Sequence, residues 1–85
     1  MKQKMFILKD TELDKAEIEV RKALSEGCFR IGIIVVKSCK TIGEIIGELR
    51  RVIKGNIYPS LSIWVVNSEE EAEKLLEFEL GKLYE

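Results

Sequence analysis

Hydrophobic positions along this chain recur at two different spacings, and the changes between them divide it into six short segments. Met5 to Lys9 opens with an unbroken apolar run, the length of a short strand, and ends in the charged turn Lys9-Asp10-Thr11. Leu13, Ala16, Val20, Ala23 and Leu24 then fall on one side at helical spacing, with Ile18 well off that stripe. The opposite side pairs Glu17 with Arg21 and Lys22 with Glu26, and Gly27 supplies a stop. Phe29 to Lys37 is apolar at both parities, the pattern of a strand covered on both faces. Ile42, Ile45, Ile46, Leu49, Val52 and Ile53 form a second helical stripe that closes at Gly55. After Pro59 come a third strand, Leu61 to Val66, and a last helix running to about Leu83. Capping boxes are expected at Thr41–Glu44 and Ser68–Glu71, and a weaker one at Thr11–Asp14, where Asp is one carbon short of the usual Glu.

The order is β-α-β-α-β-α, which predicts one small α/β domain over residues 1–85: a three-stranded, mostly parallel sheet packed with helices through right-handed crossovers. The pattern leaves strand order open. With the second strand central, both crossover helices share one face, and the other face falls to the third helix, a partner subunit, or both. In the third helix Ala72, Leu75, Leu76, Leu80, Leu83 and Tyr84 span about half the circumference, with Phe78 beyond them and Glu79 between. That breadth, together with two sheet edges to protect, predicts a homodimer.

Composition changes this picture in three ways. The longest apolar run, Ile31 to Val36, is far short of the roughly 18 residues of a membrane span. The N-terminal apolar run is too short for a signal peptide, so a cytoplasmic protein without a membrane partner is expected. Thirteen glutamates against two aspartates, ten lysines, and amides only at Gln3, Asn56 and Asn67 give the Lys/Glu-rich profile of thermophile proteins. Finally, Cys28 and Cys39 lie at opposite ends of the second strand, about 30 Å apart at its rise per residue. A disulfide needs Cα atoms within about 7 Å.

The chain has no histidine, which removes Ser-His-Asp and Cys-His nucleophile arrangements, and two distant cysteines cannot hold a structural zinc. Neither a Walker nor a dinucleotide glycine pattern occurs, and no cofactor or metal is expected. What chemistry there is gathers at the carboxyl ends of the strands: Lys9 to Thr11, Lys37 to Thr41, and Asn67 with Ser68. Lys37, Ser38, Lys40 and Thr41 flank a helix start, whose N–H groups and dipole suit a small anion such as phosphate. Cys39 in the same turn is a weak candidate for thiol chemistry, since such surroundings lower a thiol pKa. A structural filler and a solvated cap are the plain alternatives.

The overall charge of −1 conceals an imbalance. Residues 30–58 carry Arg30, Lys37, Lys40, Arg50, Arg51 and Lys54 against Glu44 and Glu48 alone, whereas the last helix is strongly acidic. Gly43 and Gly47 stand four apart on the second helix, with Arg50, Arg51 and Lys54 continuing that side. Glycine within a helix costs about 0.5–1 kcal/mol relative to alanine, so two of them call for a close neighbour, a partner helix or a phosphate chain. The function expected is therefore that of a non-enzymatic homo-oligomeric interaction module. Its basic, glycine-bearing helix face is the binding surface, and nucleic acid is the candidate partner.

Overall fold

The computed structural model describes residues 3–28, 30–53 and 61–81. Three strands, β1 (Gln3–Lys9), β2 (Arg30–Val36) and β3 (Leu61–Val66), alternate with three helices, α1 (Lys15–Ser25), α2 (Ile42–Val52) and α3 (Glu69–Gly81). The strands form one sheet in the order β1-β2-β3, parallel throughout, with Lys9 beside Val36 and Val36 beside Val66 at the carboxyl rim. The α/β reading and the element order hold, and β2 is central.

Two crossovers that step in the same direction, with the same hand, place both their helices on one face. Leu13, Ala16, Val20 and Ala23 of the α1 region and Ile45 and Leu49 of α2 are accordingly buried against Ile31, Ile33 and Val35. The other parity of β2, Ile34 and Val36, packs with Ala72 of α3, and Met5, Ile7, Trp64, Val66, Leu75 and Leu76 are only partly covered there. This two-sided burial explains why β2 shows no alternation: each face meets a helical layer.

The α1 stop is a Schellman motif. Gly27 takes φ +82°, its N–H donates to the Leu24 carbonyl at 3.0 Å, and the Cys28 N–H donates to that of Ala23 at 3.1 Å. Cys28, the buried residue after the turn, is thus part of the cap's apolar contact, and it is a free thiol, as is the exposed Cys39. At α2 the expected box is complete, Thr41 accepting from the Glu44 N–H and Glu44 reaching back to the Thr41 N–H. At α3 the Ser68 hydroxyl accepts from the Glu71 N–H, and the Glu71 carboxylate takes the Asn67 N–H instead.

The start of α1 corrects one expectation. Thr11 and Asp14 form no capping box: the helix begins at Lys15, with Asp14 at the N-cap making no side-chain cap bond. Glu12 does the local work instead, accepting the Lys9 N–H and pairing with Lys15 at 2.8 Å. Ile18 is 68% exposed, in keeping with its place off the stripe, but Ile42 is 53% exposed despite belonging to the α2 pattern. The helix stop at Gly55, Pro59, Leu83 and Tyr84 lie outside the described residues, as does the side chain of Leu80. Among the described residues no helix is long and apolar enough to cross a membrane.

Candidate functional site

The α2 helix is held by its Ile45–Leu49 stripe, which turns the opposite side to solvent. Gly43, Gly47, Arg50 and Arg51 are all on that exposed side. At about 100° per residue, Gly47 lies on the outermost ridge, with Arg50 about 60° to one side and Arg51 about 40° to the other. Among the described residues, the helix's own backbone aside, nothing lies within 4 Å of where a Cβ on either glycine would be. The close neighbour that these glycines call for is therefore not supplied from within the described chain. Lys54, the last member of the group, lies outside the described residues.

The arginines of this face make no ion pair among the described residues. Lys40 pairs with Glu48, a contact that raises the lysine pKa, and Glu44 is engaged by the Thr41 backbone and hydroxyl, which lower its own. Both acidic residues of the helix are thereby committed to local contacts. Arg50 and Arg51, like Lys22, Arg30 and Lys37, make no ion pair among the described residues, whereas Lys4, Lys9, Lys15, Arg21 and Lys74 each have a carboxylate partner.

The rim turn before α2 has a different character. Asp10, fully buried at the end of β1, reaches across to it. Its carboxylate accepts the N–H of Ser38 at 2.8 Å, of Cys39 at 2.7 Å and of Lys40 at 2.9 Å, and the Ser38 hydroxyl at 2.9 Å. These bonds, those from Lys40 and Ser38 foremost, hold the Asp10 carboxyl far below the usual carboxylate range. Successive backbone N–H groups form an anion-binding concavity, and here the chain supplies the anion itself. Lys37, Ser38, Lys40 and Thr41 thus lie in and around this turn, whose backbone donors Asp10 already takes. An external anion at the turn would therefore compete with Asp10 for its donors.

The strand order runs without reversal, so the rim also lacks the switch-point crevice in which open α/β sheets usually bind ligands. Cys39 is exposed beside Ser38, with the Ser38 hydroxyl 3.6 Å from its sulfur. Among the described residues no three His, Cys, Asp or Glu side chains converge as a metal site would require. The residue that sequence reasoning passed over is Asp10, which was legible only as one rim position among several. The parallel register that sets Lys9 beside Val36 is what carries it to the turn. Comparison with protein-family models, curated proteins and solved structures gives no match for this chain.

Proposed function

We propose that this chain is a non-enzymatic, homo-oligomeric interaction module whose outward α2 face receives a negatively charged partner. One observation carries this: among the described residues, Arg50 and Arg51 are exposed and without an ion pair on the same side as two helix glycines with nothing beyond their own helix within 4 Å of a Cβ position. Lys4, Lys9, Lys15, Arg21, Lys40 and Lys74 each have a carboxylate partner, so unpaired positive charge on α2 coincides with a backbone that carries no side chain at Gly43 and Gly47. Nucleic acid fits such a face, because phosphate chains are bound by unpaired basic groups and need no pocket. The test is a fluorescence-anisotropy titration with labelled single- and double-stranded oligonucleotides at low salt. Binding should weaken steeply as salt rises and fall on Arg50→Glu/Arg51→Glu. No binding at low salt removes nucleic acid as the partner.

The same proposal places the protein in the cytoplasm of a thermophile, supported by its Lys/Glu-rich composition and its i,i+3 and i,i+4 ion pairs at Glu12–Lys15, Glu17–Arg21 and Glu70–Lys74. A melting midpoint within the mesophile range of about 45–65 °C would count against that origin.

A further inference from the structure

We propose that the α2 face takes up the acidic outer face of α3 from a second copy of this chain. This rests on the reading of α2 as a contact surface and names what it contacts. On α3, Glu69 pairs with Lys9, Glu70 pairs with Lys74, and Glu71 caps the helix start. Glu73 and Glu77 remain, exposed, one turn apart, and without an ion pair among the described residues. Like charges at this spacing repel, so the helix carries an unrelieved cost on its outer side. The mirror situation holds on α2, where adjacent Arg50 and Arg51 make no ion pair among the described residues and Glu48 is engaged by Lys40.

These two charge excesses sit on opposite layers. The α2 side chains pack on the Ile31–Ile33–Val35 face of the sheet and α3 on the Ile34–Val36 face. The arginines of one molecule cannot reach its own Glu73 and Glu77, but those of a neighbour can. A phosphate chain would compensate the arginines and leave the glutamates as they are, whereas a second copy compensates both. Gly43 and Gly47 put no side chain on the ridge between the arginines, so a partner helix can come close enough to bring the charges together.

The contact joins two different patches and is therefore heterologous. Each added copy still presents one free basic and one free acidic face, so assembly proceeds to rings or open stacks and does not stop at a two-fold dimer.

Sedimentation velocity over a range of protein concentrations at low and high salt tests this, using the full chain, Arg50→Glu/Arg51→Glu, and Glu73→Lys/Glu77→Lys. Circular dichroism establishes that each variant is folded. The expected result is a wild-type mass that grows with concentration and shrinks with salt, and self-association weakened about tenfold or more in each variant alone. An equimolar mixture of the two variants should associate again, because acidic α2 now meets basic α3 and the converse. A wild type that stays monomeric, variants that associate as well as wild type, or a mixture that stays dissociated would each overturn the inference. The oligonucleotide titration separates the two proposals. If Glu73→Lys/Glu77→Lys and wild type both bind through Arg50 and Arg51 without self-association, the second copy is refuted and the α2 surface stands. If the Arg50/Arg51 reversal changes neither association nor oligonucleotide binding, both fall.

Discussion

At Gly32 the central strand has no side chain, and the ring of Trp64 from β3 lies where one would be. A Cβ there would stand 2.8 Å from the Trp64 ring and 3.0 Å from the Met5 side chain, so even alanine must push a half-buried indole aside. Gly32→Ala is expected to destabilise by about 1–3 kcal/mol, the range for overpacking, read from the urea midpoint. A variant as stable as wild type would mean that the ring moves freely. Asp10 is the second decisive residue. Its pKa is lowered on folding, so the stability it contributes is complete above the ordinary carboxylate range and is lost as pH falls below it, toward the folded value. Asp10→Asn should lower the thermal midpoint at neutral pH, and the gap to wild type should narrow from about pH 4 downward. Glu12 and Glu44 are shifted the same way and leave some acid dependence in the variant. A gap that is constant with pH would show that Asp10 acts through shape and not charge.

Among the elements, α2 holds the sharpest conflict between stability and use. Gly47 lies mid-helix with open space around its missing Cβ, so alanine adds helix propensity without a clash. Gly47→Ala should stabilise the isolated fold by about 0.5–1 kcal/mol and at the same time weaken any contact made on that face. Chemical denaturation alongside the binding measurements checks both signs, and a gain in stability with undiminished association would deprive the glycine of its proposed purpose. The elements themselves were largely legible because each has one dominant period: both parities apolar in β2, a tight stripe in α2, and capping residues at Thr41 and Ser68. The opening of α1 was not, because Thr11 and Asp14 match a cap pattern while the turn there is organised by Glu12. Local spacing cannot distinguish the two. Nor could it foresee Asp10 in the Ser38–Lys40 turn or Trp64 over Gly32, since each depends on strand register and tertiary packing, and strand order was itself open.

For the molecule as a whole, the two layers are unequally held. The α1/α2 side buries Val20, Ile45 and Leu49 completely or nearly so, whereas α3 fully buries Ala72 and leaves Leu75 and Leu76 half covered, with Phe78 61% exposed. Of the apolar stripe read from the sequence, the described positions Leu75 and Leu76 are therefore only partly covered. Regions with little buried apolar surface open at lower free energy than the core, so α3 should lift off as a unit before the sheet unfolds. Native-state hydrogen exchange is expected to rank α3 amides below those of β2 and α2 in protection, and Leu49→Ala should cost about 2–5 kcal/mol while Leu75→Ala costs distinctly less. Equal protection across both layers would refute the two-layer account. Concentration then adds a second dimension to the same experiment. If the outer face of α3 docks on a neighbour's α2, dilution removes that cover, and α3 protection should rise with protein concentration while that of β2 stays fixed. In the Glu73→Lys/Glu77→Lys variant the concentration dependence should vanish and the ranking of the layers should remain, because the first depends on the neighbour and the second only on how each layer is packed.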